Sequence, residues 1–151
     1  MKSKFFLFKK YFPETVSVLF ILLFVYAATS KVFDLPSFNA QLAQSPLLTG
    51  NTGWIIWTIP SLEILIAVLL AVDRFRMAGL YAFFTMMVMF TAYIIAILNF
   101  SEFIPCSCGG VLAHLSWKAH LLVNTGFILL AALAIIFSNP RQILQPSRTA
   151  G

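Results

Sequence analysis

Apolar residues run along this chain in long blocks, not in the alternating or one-sided patterns of soluble elements. Four blocks cover roughly 14–33, 54–72, 78–99 and 116–138. Each holds about 19–23 residues, enough at ~1.5 Å per residue to cross a ~30 Å hydrocarbon core as an α-helix. The pattern predicts an all-α fold: an integral membrane four-helix bundle forming a single domain over 1–151, with short connections. Pro13 is expected at the start of the first helix. Asn139-Pro140 is expected to close the last. Between Leu35 and Gly53, Ser37 is placed to cap a short helix that carries Phe38 and Leu42 one turn apart. Such a helix would lie on the outer membrane surface; an irregular loop is the alternative.

Composition removes the soluble alternatives. Hydrophobic residues make up 60% of the 151 positions and charged residues 10%. So little charge cannot cover a soluble surface, and no stretch is left for a sizeable soluble domain. The net charge of +5 does not point to nucleic acid, because the basic residues are dispersed at span ends. There they set orientation. Lys2, Lys4, Lys9 and Lys10 precede the first span, Arg74 and Arg76 lie between the second and third, and Arg141 and Arg148 follow the fourth. The positive-inside rule therefore makes both termini and the 73–77 link cytoplasmic. The 34–53 and 100–115 loops face outward, the periplasmic side if the chain sits in a bacterial inner membrane. A cleavable signal peptide ending near Tyr26-Ala27-Ala28 is the rival reading of the first block, but the apolar run continues to Phe33. Cleavage would leave the other three spans oriented as before.

Polar residues concentrate in the outer halves of the blocks: Tyr26, Thr29, Ser30 and Lys31; Thr58, Ser61 and Glu63; Thr91, Tyr93 and Asn99; Trp117, Lys118, His120, Asn124 and Thr125. A helix in lipid needs no polar side chains, so their gathering at one depth predicts a shared site beneath the outer surface. Glu63 lies nine residues past Trp54, ~13 Å along the helix. An ionised carboxylate there costs on the order of 2.5–3.5 kcal/mol. It should be neutral or paired, with Lys31 and His120 as candidate partners; an interhelical hydrogen bond that only fixes packing is the bland alternative. His120 and Asn124 share a helix face, with Trp117 one turn before His120. Met86, Met89 and Tyr93 read as packing rather than a copper relay.

The only two cysteines stand in Pro105-Cys106-Ser107-Cys108-Gly109-Gly110, between the third and fourth spans. On the outer side a disulfide can persist. Residues two apart are at most ~7 Å between Cα atoms, and a disulfide prefers ~4.4–6.8 Å. A bond in so small a ring is strained and labile, as in catalytic or regulatory disulfides. Gly109 and Gly110 allow close approach of a partner backbone. His114 or Lys118 nearby would favour the thiolate. Two other chemistries stay open. Cys106, Cys108, His114 and His120 carry ligand types suited to zinc or copper, in a spacing that matches no standard zinc module. A structural staple is the third, although so short a ring stabilises little.

With these residues in view, the chain resembles the DoxX-like superfamily of four-helix membrane proteins, and within it the MauE (methylamine-utilisation) branch. Three segments carry the resemblance: Ser30-Lys31-Val32-Phe33-Asp34, Pro60-Ser61-Leu62-Glu63, and the Cys106/Cys108 motif. Gly109-Gly110 departs from the commoner family ending. The resemblance implies a redox-associated membrane protein that assists maturation or reduction of exported, disulfide-containing proteins. It also implies a link to methylamine metabolism through formation of methylamine dehydrogenase.

The leading expectation is thiol–disulfide exchange at Cys106 and Cys108, with an exported thioredoxin-like partner or a quinone on the other side of the electron transfer. Glu63 and His120 would manage protons. A non-enzymatic membrane scaffold or assembly factor, and a zinc- or copper-handling protein, are the alternatives.

Overall fold

A computed structural model describes residues 2–43, 52–100 and 117–138. The described chain is helical, in five elements: α1 (Lys2–Phe33), α2 (Leu35–Ala43), α3 (Thr52–Ala71), α4 (Arg76–Phe100) and α5 (Trp117–Phe137). Four of these are long and apolar enough to cross a membrane, over Tyr11–Phe33, Thr52–Ala71, Arg76–Asn99 and Lys118–Phe137. These four helices coincide with the four apolar blocks of the sequence to within a few residues at each end.

The first boundary differs. α1 begins at Lys2, and Pro13 lies inside it rather than at its start. A proline deprives only the carbonyl four residues earlier of its N–H donor. Here that carbonyl precedes the apolar span, where water can satisfy it, so the helix runs through. The Ser17 hydroxyl, buried in the bundle, donates back to the Pro13 carbonyl at 2.7 Å.

The long helices pack in a ring, α1 beside α3, α3 beside α4, α4 beside α5 and α5 beside α1. Contacts at one end fix the up-and-down order. Phe12 of α1 meets Phe137 of α5 edge-on at 5.6 Å between ring centres. Arg76, opening α4, lies 3.6 Å from Glu14 of α1 and pairs with Asp73. The stretch of α1 around Phe12 and Glu14, the α3–α4 link and the end of α5 therefore share one end of the bundle. By the charge pattern this is the expected cytoplasmic end.

The α3–α4 link is a tight hairpin. The Phe75 N–H donates to the Val72 carbonyl at 2.9 Å and the Gly79 N–H to the Phe75 carbonyl at 2.9 Å. Gly79 then lies against the backbone of Leu70: a Cβ there would come 2.8 Å from the Leu70 nitrogen. The missing side chain is what lets the two helices leave the hairpin in close contact.

Aromatic rings fill the middle of the ring of helices. Phe83 of α4 stacks on Phe20 of α1 at 3.7 Å between centres, and Phe24 packs against the same ring at a tilt, at 4.5 Å. Phe127 of α5 meets Phe20 edge-on at 6.2 Å. α1 and α4 are diagonal partners, so these rings span the bundle centre. Leu70, Leu80, Met87, Ala131 and Ala134 complete the buried core. Leu22, Leu65, Val68, Leu122, Leu129 and Ile136 point out of the bundle. In a bilayer such residues are solvated by lipid, and helix association rests on close packing and polar contacts. The proposed methionine stripe divides accordingly: Met86 enters the core, while Met89 faces outward.

The segment after α1 is a helix, as one of the two expectations held, but its cap is not Ser37. Asp34 accepts the Ser37 N–H on its carboxylate at 3.3 Å and the Phe38 N–H on its carbonyl at 3.0 Å. Ser37 falls within the first turn, where its own N–H needs the acceptor. Phe38 and Leu42 are not turned to a lipid surface either. Both are buried against Ile55, with Ile56 and Ile59 alongside, in the N-terminal half of α3.

Candidate functional site

The end of the bundle opposite the Glu14–Arg76 contact holds the C-terminus of α1, the N-termini of α3 and α5 and the C-terminus of α4. Many of the polar residues expected to converge there do not. Thr29, Thr58, Thr91 and Thr125 each donate to the carbonyl four residues earlier in their own helix, at 2.5–2.9 Å. Ser30 donates to the Ala27 carbonyl at 2.9 Å and the Asn99 amide to Ile95 at 2.7 Å. In the absence of water a hydroxyl or amide in a helix finds its nearest acceptor on its own backbone. Six of the polar residues at this depth are therefore satisfied within their own helices.

The residues that do converge are fewer. The Lys31 ammonium donates to Glu63 Oε1 at 2.7 Å, joining α1 to α3. Glu63 is 1% exposed and Lys31 17%. Lys31 also donates to the Ala27 carbonyl at 3.3 Å. That second contact shows the lysine leaning back towards the N-terminus of its helix, the direction in which every Cα–Cβ bond of a helix tilts. Because α3 runs antiparallel to α1, Glu63 tilts the opposite way in space, and the two side chains approach each other. The ammonium near the last turn of α1 also complements the negative end of that helix.

The second oxygen, Glu63 Oε2, is buried and has no hydrogen-bond partner among the described residues. A carboxylate in this state is one donor short. Phe38 of α2 lies against the pair on the Lys31 side, its ring centre 6.0 Å from the ammonium, the distance of a cation–π contact. Pro60, three residues before Glu63, is buried in α3. His120 is half-buried in the first turn of α5, with Nδ1 shielded from solvent. Asn124, one turn further on, is buried. Lys118 is exposed.

Of the two expected partners of Glu63, Lys31 makes the ion pair. The expectation did not include Phe38. Its signal was its place seven residues after Lys31, two turns along a helical face, obscured by the break at Asp34. Cys106, Cys108 and His114 lie outside the described residues, in the 101–116 segment that joins α4 to α5 at this same end. Among the described residues no group of three or more His, Cys, Asp or Glu side chains is arranged to hold a metal ion.

A buried Lys–Glu pair with one open carboxylate oxygen can hold a charge in the membrane, accept a hydrogen bond and exchange a proton. It is not by itself a nucleophile or an electron carrier. Among curated proteins and among solved structures nothing matches the chain. A family model does, that of "Methylamine utilisation protein MauE", over residues 9–137. The match takes in α2 to α5 whole and all of α1 from residue 9, with both Lys31 and Glu63 inside it, and the chain therefore belongs to the MauE family of multi-pass membrane proteins.

Proposed function

We propose that this protein is a redox-associated component of the inner membrane that exchanges disulfides with exported proteins through Cys106 and Cys108, in methylamine utilisation, the process for which its family is named. The supporting observation is topological. The segment carrying both cysteines joins α4 and α5 at the end of the bundle where Lys31 and Glu63 are buried together. Both termini would be cytoplasmic and the cysteines periplasmic, as the distribution of Lys and Arg indicates.

The exchange balances without a further redox partner. One cysteine loses its proton and attacks a sulfur of the partner's disulfide, giving a mixed disulfide and a partner thiolate, which takes up a proton. The second cysteine loses its proton and attacks the first cysteine's sulfur. The Cys106–Cys108 bond forms, and the partner's other sulfur leaves and is protonated. Two electrons pass to the partner, and two protons are lent and returned. His120 and Glu63 are the groups proposed to lend and return them. The reverse sequence oxidises a partner dithiol.

Trapping thiols with alkylating reagents in intact cells, followed by mass analysis, tests this. The expected result is a mixture of oxidised and reduced Cys106/Cys108, with a mixed disulfide to an exported protein accumulating in a single Cys→Ser variant. Fully reduced cysteines, together with an unaffected phenotype in Cys106→Ser and Cys108→Ser, would overturn the reading. Partner capture that persists in the double variant would assign the protein to assembly instead.

A further inference from the structure

α2 is nine residues long and is attached to the bundle along one side. Phe38 and Leu42 are buried against Ile55, Ile56 and Ile59 of α3, whereas Ser37, Asn39 and Ala40 are exposed. A single non-helical residue, Asp34, separates it from α1. Few side chains therefore hold α2 down, and a one-residue joint connects it to the long helix.

What lies beneath it is unusual for a membrane interior. The Phe38 ring covers the Lys31 ammonium, Lys31 holds Glu63 Oε1, and Glu63 Oε2 is sealed in without a donor among the described residues. A buried acceptor without a partner carries a standing desolvation cost. With α2 seated, that cost persists. Were α2 to lift, the ammonium would lose its aromatic cover, and water following it to Glu63 would remove that cost. The aliphatic contacts of Phe38 and Leu42 favour the seated state, and hydration of the ion pair favours the lifted one. Two opposed terms acting on one small helix make a two-position element, since such small units open with free energies far below that of global unfolding.

We propose that α2 is a lid over the Lys31–Glu63 pair, and that its opening admits water and protons from the outer aqueous phase to Glu63. The proposal rests on α2, Lys31 and Glu63 alone, and stands whether or not the cysteines exchange disulfides.

Carboxyl labelling reads the lid directly. The full-length protein in lipid nanodiscs is treated with a water-soluble carbodiimide and an amine nucleophile, and modification of Glu63 is followed by mass spectrometry against Glu14, whose side chain is 46% exposed. Slow labelling of Glu63 in the unaltered protein is expected, rising by about tenfold or more in Phe38→Ala and in Leu42→Ala and unchanged in the lipid-facing Leu122→Ala. Hydrogen exchange on the unaltered protein supplies a readout independent of any variant's folding. The α2 amides should exchange together, about a hundredfold faster than those of α3 around Glu63. Labelling of Glu63 as fast as Glu14 in the unaltered protein would overturn the lid. So would labelling unchanged by both α2 substitutions, or α2 amides as slow as those of α3.

Discussion

The Lys31 ammonium and the Glu63 carboxylate meet at 2.7 Å across the α1–α3 contact, with Glu63 almost wholly buried. Each charge justifies the other's presence in the bundle. Removing one leaves the other buried and uncompensated, a loss of about 3–5 kcal/mol for such pairs, whereas replacing both by apolar residues is often neutral. Glu63→Leu and Lys31→Met alone should therefore each lower stability in mixed micelles titrated with SDS, by about 3–5 kcal/mol. The double variant should recover most of it. If the pair also moves protons, the double variant stays folded and still loses disulfide exchange, which separates structural from functional loss.

The hairpin between α3 and α4 makes a second case in which context reverses a propensity. In an open helix Gly→Ala gains about 1 kcal/mol. At Gly126 of α5 nothing lies within 4 Å of an added Cβ, so Gly126→Ala should be neutral or stabilising by that amount. At Gly79 the Cβ would meet the Leu70 backbone nitrogen at 2.8 Å, and backbone cannot swing aside. Gly79→Ala should destabilise by about 1–3 kcal/mol, the range for overpacking. SDS unfolding midpoints of the two variants should move in opposite directions, or Gly79→Ala alone should move.

The four spans were legible because the bilayer sets a length that a soluble core does not: about twenty apolar residues in a row admit few other readings. Which face of each helix turns inward was not legible for the same reason. A helix apolar on every side carries no stripe, so nothing in the spacing distinguishes Phe20, buried against Phe83, from Leu22, which faces lipid. Glu63 and Lys31 could be named from the cost of intramembrane charge alone. That they pair with each other while many neighbouring polar groups do not join them could not, because the sequence does not say that Thr29, Thr58, Thr91 and Thr125 bond their own helices. Whether a hydroxyl turns back to its own backbone or across to a neighbour is settled by its rotamer and by what lies opposite.

The core rings give a third prediction with an internal control. Phe83 is wholly buried in contact with Phe20 and Phe24, while Leu122 is 74% exposed to the surroundings of the bundle. Truncating a buried phenylalanine costs about 3–5 kcal/mol through lost contacts and the cavity left behind. Phe83→Ala should lose stability on that scale. Leu122→Ala exchanges one lipid-solvated side chain for a smaller one and should fall within about 0.5 kcal/mol of the unaltered protein. Comparable losses at the two positions, measured by the same SDS titration, would contradict this division between core and lipid-facing residues.

The start of α2 supplies the last prediction. Asp34 accepts the Ser37 N–H on its carboxylate, occupying a donor that the helix itself cannot satisfy. Loss of such a cap costs about 1 kcal/mol, and asparagine caps about as well as aspartate. Asp34→Ala should therefore fray α2, speeding its amide exchange by about fivefold while leaving the SDS midpoint of the bundle almost unmoved. Asp34→Asn should restore protection, because the cap needs an acceptor oxygen and not a charge. Ser37→Ala should change nothing, since what α2 uses from that residue is its backbone N–H. Protection lost in Ser37→Ala and kept in Asp34→Ala would move the cap to the serine hydroxyl, and with it the joint about which α2 lifts from Lys31.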